Sequence, residues 1–353
     1  MNDLVHLPDG FALPITGRQP EYPDVPWTTG TRPFAHRFAL EVIEGTKAKE
    51  GNQKALKALS SGASSLLFRV QEATDLSTLL QGIRLDVAPV HLVCSAHPHA
   101  VLDALQSLPD SDHPEALHGS VNMELAEHWM RRGQYISGTL EQDIQRLHDA
   151  ISLPMGMRVF CANGGAWAQE ERSSLPSRVA QLAYGLGSLA AQLDTVGWQH
   201  ADRTWLYLEA SDDYLGTVAL CQAARTLWAS LCLAHGAPDA RLWISGKPAL
   251  PEPTEDAAAL VGVGIQQQAL WLGGCDEIWI TPIHESAAAY QWARQQTLVL
   301  AYENGLHDSR FPLRGAYTLD AYTSALALET EQVWKTWSDQ GGFWHHMQQC
   351  YLK

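Results

Sequence analysis

Apolar and polar positions follow two different periods along the chain. From about residue 47 onward, short apolar runs of strand length alternate with longer stretches whose apolar residues recur at helical spacing. This alternation predicts parallel strands joined by helical crossovers, the pattern of an α/β protein.

The apolar runs predict eight strands, at Ser65–Val70, His91–Ala96, Leu117–Met123, Met157–Ala162, Thr204–Leu208, Arg241–Ser245, Glu277–Thr281 and Gly315–Leu319. The helical stretches are Thr46–Ser60, Ala100–Ser107, Leu140–Ala150, Leu175–Ala191, Tyr214–His235, Thr254–Leu272, Ala287–Glu303 and Asp320–Gln340. These numbers of strands and helices match a (β/α)8 TIM barrel, so the predicted fold class is α/β.

The first 35 residues have a different composition. They carry the prolines Pro8, Pro14, Pro20, Pro23, Pro26 and Pro33. Proline at this density excludes a helix and favours an extended segment that lies on another surface, either its own barrel or a partner. We therefore expect an extended, proline-rich N-terminal arm over residues 1–40 and a single barrel domain over 41–353.

Charge and cysteine usage narrow the function classes. Acidic residues outnumber basic ones 39 to 24, which gives a net charge of -15, and no Lys/Arg-rich run could follow a phosphate backbone. The six cysteines form no CxxC pair and lie mostly in apolar runs. No uninterrupted apolar stretch is long enough to span a bilayer. We expect a cytoplasmic protein without a structural metal, a nucleic-acid partner or a membrane span.

Several segments resemble, in the same order, landmarks of the methylmalonyl-CoA mutase family. They are GNQKALKALSSGASSLLFRV (51–70), CANGGAWAQEE (161–171), DDYLGTVALCQAARTLWASL (212–231), TLVLAYENGL (297–306), GAYTLD (315–320) and KTWSDQGGF (335–343). The resemblance extends from about residue 27 to 343 and implies a barrel that forms a channel for a CoA thioester. A separate cobalamin domain closes that channel in the family.

The resemblance also implies where cobalamin would bind. The family's cobalamin module carries an Asp-x-His-x-x-Gly loop, whereas DLVHLPDG (3–10) has a different spacing. We therefore expect no cobalamin-binding domain in this chain and no cofactor bound by this chain alone. Adenosylcobalamin is expected in the partner or in the family complex.

Neither family position for a catalytic side chain carries the family's residue. The family run His-Met-Gln-Glu, anchored on Gln169 and Glu170, places its His at Trp167, whose indole cannot titrate near neutral pH. The family's Tyr falls on Ala39, or on Arg32 in an alternative register. The resemblance thus implies a chain without catalytic residues, closest in character to the family's small, non-catalytic subunit.

A second group of residues suggests substrate binding. The segment GSVNMELAEHWMRRGQYI (119–136) resembles the family segment in which an Arg binds the substrate carboxylate, and that Arg falls on Arg132. A guanidinium offers a planar, permanently charged fork for a carboxylate. Ser120 and Asn122 fall on the family's hydroxyl and amide contacts to the thioester. Without the alignment, Arg132 would be assigned as a solvated surface charge.

The remaining candidates stay open between two interpretations. Asn122 and Gln169 either contact the thioester or hold loop backbone in place. Arg32 and Arg37 either line a path for the CoA phosphates or form salt bridges with the acidic surface.

Three functions are compatible with these observations. The first is a non-catalytic barrel that pairs with the catalytic large subunit of a cobalamin-dependent mutase, an isomerase, or with itself when isolated. The second is an active acyl-CoA mutase core that uses cobalamin from a separate chain. The third is a stand-alone acyl-CoA-binding protein. The residues at Ala39 and Trp167 favour the first, in which this chain alone is inactive.

Overall fold

The computed structural model describes residues 4–6, 11–14, 38–45, 47–71, 75–93, 98–106, 118–123, 125–153, 156–168, 170, 173–250, 255–306, 313 and 315–352. Two short strands near the N-terminus, β1 (Leu4–His6) and β2 (Ala12–Pro14), pair as an antiparallel hairpin. β2 packs against a long helix near the end of the chain. Residues 11–14 of the predicted arm therefore lie on the barrel of the same chain, and its last residues, 38–40, belong to a strand of the barrel.

Parallel strands form a ring around one axis. They are β3 (Phe38–Glu44), β4 (Ser65–Arg69), β5 (Val90–Val93), β6 (Gly119–Asn122), β7 (Met157–Arg158), β8 (Phe160–Asn163), β9 (Thr204–Glu209), β10 (Trp243–Lys247) and β11 (Glu277–Trp279). Their order is β7-β6-β5-β4-β3-β11-β10-β9-β8. Because β7 and β8 are separated only by Val159, they are two pieces of one strand, and the ring has eight positions.

A bulge marks the point where the ring closes. β7 pairs with β6 and β8 pairs with β9, while the Val159 amide donates to the carbonyl of Arg203 at 3.0 Å. Val159 and Phe160 both pack in the outer core, although successive strand residues normally point to opposite faces. One extra residue therefore bends the strand, and the pairing partner switches from β6 before the bulge to β9 after it.

Helices cover the outside of the barrel. They are α1 (Ala48–Ser60), α2 (Leu76–Leu79), α3 (Pro98–Gln106), α4 (Leu125–Arg132), α5 (Leu140–Ala150), α6 (Ser177–Val196), α7 (Tyr214–Ala234), α8 (Asp256–Leu272), α9 (Ala287–Leu298), α10 (Tyr317–Asp339) and α11 (Phe343–Tyr351). Between them and the strands lies a continuous apolar core. The α/β barrel predicted from the sequence is confirmed.

Among the described residues, one helix has the length and hydropathy of a membrane span. This helix is α7, and 67% of the span window is buried inside the fold. α7 packs against α6, α8 and α10, which accounts for its apolar composition.

The sequence placed one strand wrongly. The predicted strand Gly315–Leu319 is instead the start of α10, in which Leu319, Tyr322 and Leu326 are buried at helical spacing. The strand that the sequence did not predict is β3. Its apolar run is interrupted by the polar residue Glu41 and lies at the edge of the proline-rich segment. The seven predicted strands between Ser65 and Thr281 each overlap a strand of the barrel.

A buried ion pair fastens this unpredicted strand to the last helix of the ring. Glu41 on β3 accepts two hydrogen bonds from Arg294 on α9, each 2.6 Å long. Both side chains are almost fully buried. The carboxylate of Glu41 therefore depends on this guanidinium for compensation.

We expect the substitution Arg294→Met to lower the free energy of unfolding by about 3 kcal/mol, because it leaves a buried carboxylate without a partner. Urea denaturation at neutral pH measures the change. The double variant Glu41→Leu/Arg294→Met is the control and should recover most of the loss. Equal destabilisation in the single and double variants would contradict the assigned role of the pair.

Candidate functional site

The carboxyl end of the barrel opens into a cavity of about 700 Å3. Several of its lining residues are the last residues of their strands: Arg69, Val93, Asn122, Asn163, Glu209, Lys247 and Trp279. In (β/α)8 barrels this end carries the functional sites, since the loops after the strands surround it. The cavity is therefore the candidate site.

Oppositely charged side chains stand in pairs around this cavity. Glu127 accepts from Arg131 at 2.7 Å, and Lys247 lies 3.6 Å from Glu209. Arg69 lies 3.7 Å from Glu44 of the neighbouring strand. Because the cations are partly exposed, each pair contributes little to stability. The pairs do leave the mouth of the cavity close to electrically neutral.

A carboxamide fixes one side of the mouth. The Asn163 amide nitrogen donates to Glu127 at 2.7 Å, and its carbonyl oxygen accepts from the backbone of Ala166 at 3.0 Å. The second bond caps the 3-10 turn Gly164–Trp167 that follows β8. Asn163 therefore orients the loop and the Glu127 carboxylate together.

Aromatic and aliphatic side chains fill the barrel directly below the cavity. They come from inward-facing positions of five strands and are Leu40, Leu67, Cys161, Trp205, Tyr207 and Trp279. The rings of Tyr207 and Trp279 lie 4.8 Å apart. The Tyr207 hydroxyl donates to Glu209 at 3.3 Å, and burial raises the pKa of Tyr207 well above its usual value. These residues close the axis beneath the cavity.

A buried polar network lies under this apolar layer. The Glu277 carboxylate receives hydrogen bonds from His91 at 2.8 Å, Ser65 at 2.8 Å and Ser245 at 2.5 Å. The other ring nitrogen of His91 bonds Ser120 at 2.8 Å. All five residues are fully buried. Burial opposes ionisation of Glu277, but the attraction and hydrogen bond of His91 and the serine bonds outweigh it, so the pKa of Glu277 is lowered.

The amino-terminal end of the barrel is also covered. The Arg158 guanidinium lies 3.8 Å from the centre of the Trp243 ring, a cation–π arrangement. Trp205 of the apolar layer stacks on His91 and donates to Ser245 at 2.6 Å, so it joins that layer to the polar network below it. Three successive layers of side chains therefore block the axis below the cavity.

The sequence-predicted site residues are distributed over different environments. Asn122 lines the cavity, whereas Ser120 lies below it in the Glu277 network. Arg132 is exposed and does not line the cavity, although its neighbour Arg131 does. The substrate contacts predicted for these residues stay predictions.

The two positions aligned with family catalytic residues face away from the cavity. Ala39 and Trp167 both belong to the outer core. The Trp167 indole stacks on Tyr184 at 4.0 Å and meets Tyr351 of α11 edge-on. Gln169, Arg32 and Arg37 lie outside the described residues.

Sequence reasoning missed most of the residues that line the cavity. Glu127, Arg131, Glu209 and Lys247 form its charged pairs, and Asn163 orders one of them. A usable signal was present, because polar residues end several apolar strands, as Glu209 and Lys247 do. Within the described part of the chain, no group of three or more His, Cys, Asp or Glu side chains could hold a metal ion.

Comparison with known proteins relates this barrel to one family. The family model described as methylmalonyl-CoA mutase matches residues 198–353. A methylmalonyl-CoA mutase small subunit from Porphyromonas gingivalis is 23% identical over 331 residues, which cover 86% of this chain and 52% of that protein. The predicted resemblance to the methylmalonyl-CoA mutase family is thereby confirmed.

A second small subunit of that name, from Streptomyces virginiae, is 24% identical over 336 residues, which cover 90% of this chain and 53% of that protein. The chain thus spans about half the length of the curated mutase relatives that it matches. Among solved structures, a dihydropteroate synthase from Coxiella burnetii in complex with pteroic acid aligns with 77% of this chain and 95% of its own. The TM-score is 0.43 at 11% identity.

The Glu277 network generates a pH-dependent prediction. Since its pKa is lowered from 4.5, the Glu277 carboxylate stabilises the fold above that value, and this contribution is lost as the pH falls through the folded-state pKa. The substitution His91→Leu should cost about 3 kcal/mol at neutral pH, because it strands a buried carboxylate.

The difference between the wild type and His91→Leu should shrink as the pH falls to 4.5 and below. The stranded carboxyl of the folded variant takes up a proton above that pH, and the wild type loses the contribution of its carboxylate below it. Urea denaturation at neutral and acidic pH measures both free energies of unfolding. His99→Leu, an exposed histidine on α3, is the matched control. A destabilisation that stays constant with pH would contradict the charged state of Glu277.

Proposed function

We propose that this chain is a non-catalytic, small-subunit-like barrel that assembles with the catalytic chain of a mutase. The closed axis is the observation that carries the proposal. A barrel that admits a CoA thioester along its axis needs an open channel, whereas Trp205, Tyr207 and Trp279 fill this one. The small-subunit names of the two relatives support the same assignment.

The outward direction of Trp167 adds support. A residue at the family's histidine position would need to reach the reacting group, but Trp167 packs between α6 and α11 instead. Its indole stabilises the wall of the barrel and supplies no titrating group. In the proposed assembly, the catalytic chain provides the acid–base groups and holds adenosylcobalamin, while this chain contributes a rigid barrel.

The cavity favours a second candidate, an acyl-CoA-binding protein. Its volume of about 700 Å3 is within the range of small-molecule sites, and Arg131 and Lys247 could meet an anionic group. Against this candidate, both cations already face carboxylates. The layers below the cavity would also keep the pantetheine arm from following the axis.

The proposal extends to the compartment. Cys221 and Cys275 place their sulfur atoms 3.5 Å apart without a bond between them. Burial raises the pKa of Cys275 well above its usual value, which disfavours its reactive thiolate form. Unjoined neighbouring thiols are compatible with a reducing, cytoplasmic location.

Calorimetric titration with methylmalonyl-CoA and free CoA separates the two candidates. We expect no saturable heat from this chain, because its axis is filled. A catalytic mutase barrel titrated under the same conditions is the positive control. Saturable binding that is lost in Lys247→Met would favour the acyl-CoA-binding function and contradict a closed, non-catalytic barrel.

Co-expression with a catalytic mutase chain from the same source tests the assembly. We expect the two chains to elute as one complex whose mass equals the sum of one copy of each, measured by light scattering. The control is an unrelated (β/α)8 enzyme co-expressed in the same way. Separate elution of the two mutase-family chains would contradict the proposal.

A further inference from the structure

Two adjacent helices present an unusual surface to solvent. Val261 and Ile265 on α8, with Trp292 on α9 and Val299 and Tyr302 on the turn that extends it, are between 41% and 67% exposed. The five side chains define the α8–α9 face. Isolated exposed apolar residues are common, but a contiguous group of this size usually marks an interaction surface.

The face is continuous across the seam between the helices. Gln296 on α9 donates to the carbonyl of Leu260 on α8 at 2.6 Å, and a Cβ at Gly264 would lie 2.5 Å from the Gln296 amide nitrogen. Trp292 and Val299 lie four residues before and three residues after Gln296 on the same side of α9. Val261 and Ile265 flank Gly264 on α8. The exposed apolar groups therefore adjoin one seam.

The α8–α9 face contains no charged side chain. α8 has one charged residue, Asp256, at its first position, and α9 has only Arg294, which is buried against Glu41. The other exposed positions of both helices are alanine or glutamine: Ala257, Ala258, Ala287, Ala288, Gln291 and Gln295. Charged groups appear at the ends of the two helices, at Glu255, Asp256, His284 and Glu285 on one side and at Glu303 on the other.

This neutrality is informative because the chain carries a net charge of -15. Two copies repel each other wherever their acidic surfaces meet, and like charges brought together across an interface are costly. An acidic face would attract a basic partner. A face without charges does not repel an acidic partner, so it allows such a partner to bind. A second copy of this chain meets that condition, and a two-fold axis would place the same face on both copies.

We infer that the α8–α9 face is a self-association surface whose occupant is a second copy of this chain. The inference goes beyond the proposed function and does not require it. α8 has 17 residues and is about 25 Å long at the usual helical rise. Two helices side by side cover about 500 Å2 on each copy, below the usual size of stable interfaces. The dimer is therefore expected to dissociate with a Kd in the micromolar range.

Sedimentation velocity of the full chain, at concentrations extending to about 100 μM, tests the inference because micromolar dimers are populated there. We expect the wild type to shift from monomer to dimer with concentration. Val261→Glu on α8 and Val299→Glu on the α9 extension should each remain monomeric, because burying a carboxylate in the interface is unfavourable. Both positions are exposed, and an unchanged melting temperature verifies that each variant is folded.

Val87→Glu is the matched control, since Val87 is equally exposed but lies outside the face. This variant should dimerise as the wild type does. A wild type that is monomeric at every concentration, or a dimer that persists in both face variants, would overturn the inference.

A second arm adds the catalytic mutase chain. Face variants that remain monomeric alone but still join the mutase complex support a self-association surface separate from the proposed assembly. Loss of the mutase complex in the face variants, with a monomeric wild type, would assign the face to the mutase chain and overturn the choice of a second copy. Failure of the wild type to bind the mutase chain bears on the proposed function alone.

Discussion

Glu277 holds a carboxylate on the axis of the barrel, where the surrounding side chains exclude water. Such a group is tolerated only when hydrogen bonds and opposite charge replace its hydration. The donors come from β4, β5 and β10, so one side chain of β11 ties together strands on both sides of the ring. The positions of His91, Ser65 and Ser245 follow from this requirement.

The layer above the network follows from the same constraint. Trp205 stacks on His91 and donates to Ser245, which places a large ring across the axis. Tyr207, two residues later on the same strand, points inward again and meets Trp279. A channel along this axis would require removal of both rings and exposure of the Glu277 network to solvent. The side chains that fill the barrel axis therefore also stabilise the fold.

The sequence predicted the parts of the fold that depend on local periodicity. Seven strands and the eight predicted helices have clear apolar spacing, and they lie where that spacing indicated, whereas the short helices α2, α4 and α11 were not predicted. The exceptions have a tertiary cause. β3 contains Glu41, whose partner Arg294 lies about 250 residues away, so nothing in the local run indicates that this charge is buried. The first turn of α10 contains too few residues to distinguish a helix from a strand.

The candidate site was less accessible to sequence reasoning. Asn122 was identified because a family landmark surrounds it, and it does line the cavity. The alignment could not show which way a side chain points. The direction of the side chain places Trp167 in the outer core, and it decides that Arg131 lines the cavity while Arg132 does not. An alignment indicates where a residue lies along the backbone. The direction of the Trp167 indole is set by its packing against α6 and α11.

Charge is distributed unevenly over this barrel, and the pattern separates two kinds of surface. At the cavity each cation faces a carboxylate, so the site is polar but nearly neutral. On α8 and α9 the only charge between the ends is turned inward to Glu41. If the Arg294 side chain turned toward solvent, the buried Glu41 carboxylate would lose its partner. The ion pair that holds β3 against α9 therefore also keeps the outer face of α9 uncharged. The Glu41–Arg294 pair thus holds β3 in the ring of strands and also removes a positive charge from the exposed surface of α9.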